Sequence, residues 1–116
     1  MAQVDITDRT FTFPIRIVTL CQILDSSPGT SRTLANQLLR SGTSIGANVE
    51  EAQAAQSKAD FISKMFIACK EARETLYWLR LLIATDIIGE SKLESLQTEA
   101  DAPVSILTTI IKNAKA

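Results

Sequence analysis

A chain of 116 residues with 12 basic and 13 acidic side chains has a formal net charge of -1, which excludes a domain built mainly to neutralise phosphates. Hydrophobic residues make up 46% of it against only 4 glycines and 3 prolines, which excludes a linker or disordered tail and sets the expectation of one ordered domain over residues 1–116. Valine is scarce and aromatics are few, so an all-strand fold is disfavoured.

MAQVDITDRT reads as a short lead-in. A first helix is predicted over about 12–25, with Thr12 as its cap and Pro14 in its first turn. Ile17, Cys21 and Leu24 fall at helical spacing, and Phe13, Leu20 and Ile23 widen the apolar sector. Pro28–Gly29 then signals a turn, with Thr30 or Ser31 as the next cap.

The second helix is predicted over about 31–54. Leu34, Leu38, Ile45 and Val49 mark one stripe, while Ala35, Leu39, Gly42 and Gly46 mark a neighbouring one. The two phases merge across Gly42, so SGTSIGANVEEA belongs to the helix despite a cost of about 1 kcal/mol per interior glycine relative to alanine. That cost points to close approach by another backbone, with Ser41, Ser44 and Asn48 placed to bond across the contact. The stretch has no Lys after its glycines and no preceding strand, unlike a nucleotide-binding loop. A small-molecule or anion pocket and direct contact with a polymer stay open as alternatives.

Ser57 caps a third helix over about 58–86, with Asp60 three residues on. Phe61, Met65, Ala68, Ala72, Leu76, Leu79 and Ile83 trace its core face. Phe66, Cys69, Tyr77, Trp78, Leu81 and Leu82 broaden that face beyond what one bundle needs, which predicts a second partner such as another subunit. For Tyr77–Trp78, subunit packing is preferred to stacking on nucleic-acid bases. Gly89 marks the last connection, and a fourth helix follows over about 92–113, kinked or split near Pro103. Four helices joined by short connections predict an all-α, antiparallel, up-down-up-down four-helix bundle.

IVTLCQIL and LYWLRLLIA are too short or too interrupted to span a bilayer, and the start has no secretory pattern. The expectation is a cytoplasmic protein without a membrane partner, with Cys21 and Cys69 as buried thiols. Glu50, Glu51, Glu71 and Glu74 invite a di-metal reading, but such sites draw carboxylates from all four helices, often with histidines, and this chain has no His. Ser41 and Ser44 likewise lack a histidine base, and neither cysteine has a base nearby in sequence. No metal, cofactor, catalytic residue or enzymatic activity is therefore expected. Glu51, Glu71 and Glu74 are read instead as members of a polar network with Asn48 and Arg73, and Lys70–Glu74 as a helical ion pair.

SGTSIGANVEEAQAAQSKADFISKM, followed by KEARETLYWLRLL, closely resembles the bacterial four-helix-bundle family of 23S rRNA intervening-sequence proteins, also labelled ribosomal S23-like. The strongest likeness covers Gln37 to Leu82. It implies a ring-like homopentamer, and the chain is similar to the accessory protein of diversity-generating retroelements, whose pentamer engages a reverse transcriptase and nucleic acid. The family motif falls on Ser44, Ile45, Asn48, Glu51, Glu71, Glu74 and Trp78, beside the glycines Gly42 and Gly46, and carries no catalytic assignment. The ribosomal label reflects gene location, so a place in the ribosome does not follow from it.

Two functional readings result. The first is a non-enzymatic oligomeric scaffold whose partner, besides itself, is a protein or an RNA. The second is a nucleic-acid-binding accessory factor, which needs Arg32, Arg40, Lys58, Lys64, Lys70 and Arg73 to converge on one exposed face.

Overall fold

The chain folds into four helices with no strand among the described residues, 6–87 and 89–115 of a computed structural model. Helix α1 spans Ile6–Leu24, α2 Thr30–Gln53, α3 Lys58–Ala84 and α4 Glu90–Lys115.

Helix α1 corrects the expected start. It begins at Ile6, so Pro14 lies in its interior and Thr12 does not cap it: the Thr12 hydroxyl donates to the Arg9 carbonyl inside the helix. The early start has a packing cause. Thr10 is 1% exposed and continues the buried stripe of Phe13, Ile17, Cys21 and Leu24, its hydroxyl satisfied by the Ile6 carbonyl at 2.7 Å. Pro14 has no N–H, so the Thr10 carbonyl loses its ordinary i+4 donor. That carbonyl faces Gly46 of α2, where an added Cβ would overlap it. An interior proline and an interior glycine thus sit at one contact, in which a Cα–H faces a carbonyl that the helix ladder cannot use.

The cap of α2 precedes both expected caps, Thr30 and Ser31, because the helix already begins at Thr30. Gly29 is its N-cap residue, with no side-chain capping bond and φ 94°, a left-handed region that glycine reaches at little cost. Arg32 ties the junction together, donating to the Asp25 carbonyl at 2.9 Å and pairing with the Asp25 carboxylate at 3.1 Å. At the start of α3, the Ser57 hydroxyl accepts from the Asp60 N–H at 3.1 Å, and the Asp60 carboxylate accepts from the Gln56 N–H. The end of α3 departs from the expected limit near residue 86. Asp86 takes φ 58°, and the N–H groups of Ile87 and Asp86 close back on the carbonyls of Leu82 and Ile83. This is the Schellman arrangement, with Asp in the position that more often holds Gly. Helix α4 passes position 103 as one continuous helix, so of the kink or split expected near Pro103 the split does not occur.

Each helix packs against the next in sequence, and α1 also touches α4. One cluster joins all four, with Phe13, Ile17, Leu38, Ile45, Met65, Leu79, Leu82 and Leu107 essentially without exposed surface. Fully burying side chains of this size contributes roughly 1.5–3 kcal/mol each. On α3 the buried line is Met65, Ala68, Cys69, Ala72, Thr75, Leu79 and Leu82, whereas Phe61, Leu76 and Ile83 are only partly covered. Arg16 braces α1 against α4, bonding Glu99 at 2.7 Å and Ser95 at 2.8 Å.

Cys21 and Cys69 are both buried and free. Burial, assisted by the Asp25 charge, pushes the Cys21 thiol up to about 11, and its sulfur lies 3.4 Å from the Ala35 carbonyl. No helix among the described residues is long and apolar enough to cross a membrane.

Candidate interaction surface

The residues of the family motif separate into two groups because α2 turns one face to α1 and another to α3. Gly42, Ile45 and Gly46 lie toward α1 and the core. A Cβ at Gly42 would sit 2.8 Å from Cγ2 of the fully buried Ile17, and Ile45 itself is fully buried. Across the contact between α2 and α3 runs a polar seam in which Glu51 of α2 pairs with Lys64, and Glu71 and Glu74 of α3 pair with Arg40.

Arg40 organises that seam. Its guanidinium pairs with Glu71 at 3.2 Å and also with Glu74. Glu74 in turn accepts from the Trp78 indole N–H at 2.9 Å, which holds the ring half-buried, with Tyr77 edge-on to it at 5.1 Å. Further along, Lys64 bonds Glu51 at 3.0 Å, and this hydrogen bond and the Glu51 charge raise the Lys64 pKa above its ordinary value. The expected network therefore forms with different members: Arg40 and not Arg73 bridges the glutamates, and Glu74 is held by Arg40 and Trp78 in place of Lys70. Ser44 and Asn48 do not bond across the helices. The Ser44 hydroxyl donates to the Arg40 carbonyl and the Asn48 amide to the Ser44 carbonyl, both within α2. Ser41 does reach across, to the Thr75 hydroxyl at 2.9 Å in a fully buried position. No sequence motif announced this pair, although Thr75 stands on the core stripe of α3.

Arg40 is 49% exposed, so solvent screening discounts its pairing despite two acidic partners. Arg40→Met is expected to cost about 1 kcal/mol at low ionic strength, shrinking as salt is added, because two neighbouring carboxylates lose their shared cation. Lys64→Ala is expected to stay within about 0.5 kcal/mol. Urea unfolding at low and high NaCl checks both, and equal costs for the two variants would contradict the organising role of Arg40.

The six basic residues do not gather on one face. Arg32, Arg40 and Lys64 each lie against a carboxylate. Lys58 opens α3, while Lys70 and Arg73 border a groove between α3 and α4 floored by Phe66, Cys69, Thr108 and Ile111. Lys115 of α4 stands 5.5 Å over the Phe66 ring. A feature that the sequence reading passed over lies on α1: Phe11, Ile15 and Val18 form a second apolar stripe facing solvent, 66%, 53% and 37% exposed. Its i, i+4, i+7 spacing was visible, but the stronger core stripe on the same helix masked it. No group of three or more His, Cys, Asp or Glu among the described residues is placed to hold a metal ion.

The model of a family described as 23S rRNA-intervening sequence protein matches residues 2–109. Among solved structures, the chain is similar to a protein of unknown function from the S23 ribosomal protein family of Bacteroides thetaiotaomicron. The two are 44% identical with a TM-score of 0.87, over 93% of this chain and 99% of that one. No curated protein matches the chain.

Proposed function

The chain belongs to the 23S rRNA-intervening sequence protein family, and from that premise we propose that it works as a non-enzymatic oligomeric scaffold, engaging copies of itself and a further protein or RNA partner. The observation that carries this reading is the solvent-facing stripe of Phe11, Ile15 and Val18, together with half-exposed Phe66 and Tyr77 on α3. Scattered apolar residues on a surface need no explanation, but a continuous stripe along one helix marks a place of association.

In this reading residues 1–116 are one domain, an antiparallel up-down-up-down bundle. Support comes from neighbours whose numbers run in opposite senses: Ile17 beside Gly42 and Thr10 beside Gly46, then Arg40 beside Glu74 and Glu51 beside Lys64. The assembly is a ring-like homopentamer, as the family resemblance implies, and its place of work is the cytoplasm. The Arg40–Glu71–Glu74–Trp78 seam keeps α2 and α3 in one register beneath the assembling faces.

Light scattering of the purified chain is expected to return five times the 12.7 kDa of one chain. A monomer at micromolar concentration would overturn the scaffold reading. Affinity purification with and without nuclease then separates the partners: a protein retained after nuclease supports the scaffold. The second reading, an accessory factor for nucleic acid, is favoured by Lys70, Arg73 and Lys115 standing beside exposed Phe66. It predicts recovery of RNA alone, with binding that falls steeply as salt rises.

A further inference from the structure

We propose that the self-contact is heterologous, with the α1/α2 face of one copy covering the α3/α4 face of the next. This rests on the oligomer reading above and adds which surfaces meet.

The first face is apolar with an acidic rim. Phe11, Ile15 and Val18 project from α1, and Phe11 borders a groove of about 290 Å³ whose α2 wall is Thr43, Gly46, Ala47 and Glu50. Glu50 is the one charge on that lining and is exposed. Asp8, also exposed, stands one turn before Phe11. The second face is apolar with a basic rim. Phe66 and Ile111 border a groove of about 170 Å³ flanked by Lys70 and Arg73, with Lys115 over the Phe66 ring. Among the described residues neither Lys70, Arg73 nor Glu50 forms an ion pair, so each rim keeps its charge for a partner.

Both faces lie at the same end of the molecule. Thr10 abuts Gly46 between α1 and α2, Glu51 meets Lys64 between α2 and α3, and Lys115 of α4 meets Phe66 of α3. Phe11 with Glu50 and Phe66 with Lys70 are therefore level with one another. A rotation about an axis along the helices preserves that level, so a head-to-tail contact brings the acidic rim against the basic one. Pairing like faces through a two-fold axis would oppose Glu50 to Glu50, or the Lys70–Arg73 rim to itself, which electrostatics disfavours. Since the two grooves are on different helix pairs, one copy engages two neighbours at once, as closure into a ring requires.

The test uses Phe11→Asp and Phe66→Asp, both at exposed positions, with unchanged helical circular dichroism and a retained cooperative thermal transition as the check on folding. Ile15→Asp replaces Phe11→Asp should the latter unfold, and Lys70→Glu replaces Phe66→Asp. Each variant alone is expected to fall to the mass of one chain. Mixed near millimolar concentration, the two are expected to form a one-to-one dimer, because one intact junction remains between them. A mixture that stays monomeric, or dissociation by only one of the variants, overturns the heterologous contact while leaving the oligomer reading in place. A monomeric wild-type chain overturns that underlying reading itself.

Discussion

Gly46→Ala is expected to destabilise the protein by about 2–4 kcal/mol, although alanine is the better helix former by about 1 kcal/mol. The Cβ has nowhere to go, because its position is already occupied by the Thr10 carbonyl oxygen, which is backbone and not a side chain free to rotate away. Relief requires α1 and α2 to separate, and the core contact of Phe13 and Ile17 is lost with that movement. For a domain of this size the expected fall in melting temperature is on the order of 10 °C. Gly42→Ala makes a useful contrast. Its Cβ would meet Ile17 Cγ2 at 2.8 Å, a methyl on the branched Cβ of a fully buried side chain, so Ile17 must give slightly and a cost of about 1–3 kcal/mol, below that of Gly46→Ala, is expected. Thermal and urea unfolding of both variants measures the difference, and equal costs would contradict the carbonyl argument.

The same geometry predicts coupling to Pro14. With alanine at position 14 the helix regains an N–H, and the Thr10 carbonyl can turn back into the ladder of α1 and away from Gly46. Pro14→Ala is therefore expected to recover part of the loss caused by Gly46→Ala, at least about 1 kcal/mol in a double-mutant cycle. Strict additivity of the two would show that the proline and the glycine act independently.

The second large effect is expected at the buried hydroxyls. Thr75 lies 2.9 Å from the Ser41 hydroxyl and 2.8 Å from the Glu71 carbonyl, and neither Thr75 nor Ser41 is exposed. Thr75→Val keeps the shape but strands the Ser41 hydroxyl, whose other partner is the Leu38 carbonyl at a long 3.4 Å. The expected cost is about 1–3 kcal/mol, the usual penalty for an unsatisfied buried polar group. Ser41→Ala is expected to cost less, since Thr75 retains the Glu71 carbonyl and alanine favours the helix. The double variant should cost less than the sum, because it removes both hydroxyls together. Equal single costs that simply add would show that the pair does not interact.

Much of the helix pattern was legible in the chain. The stripes through Ile17, Cys21 and Leu24, through Leu38, Ile45 and Val49, and through Met65, Ala68, Ala72 and Leu79 all lie in the core. Ser57 and Asp60 announced the start of α3 with the polar atoms that its first turn uses. The misreadings cluster at helix ends, where local chemistry permits several outcomes. Pro14 read as a first-turn proline because the burial of Thr10 could not be seen. Asp86 gave no sign of a left-handed turn, since only the carbonyls of Leu82 and Ile83 make that conformation worthwhile.

The polar seam was legible as a set of residues and illegible as a set of bonds. Glu71 and Glu74 were singled out, yet Arg40 was assigned only to a nucleic-acid face, and Arg73 both to that face and to the glutamates. One step along a helix turns a side chain through about 100°, so Arg73 and Glu74 lie on different sides of α3. Which of them meets α2 depends on where α2 packs.

Periodicity by itself determined that this chain forms helices and which residues of each are apolar on one side, because a 3.6-residue spacing is a property of a single segment. The tertiary structure alone decided what each face meets. It set the Thr10 carbonyl against Gly46, gave Arg40 its two glutamates, and left Phe11, Ile15 and Val18 in solvent. The physical reason is that a contact depends on the relative rotation of two helices, which the spacing within either one does not contain.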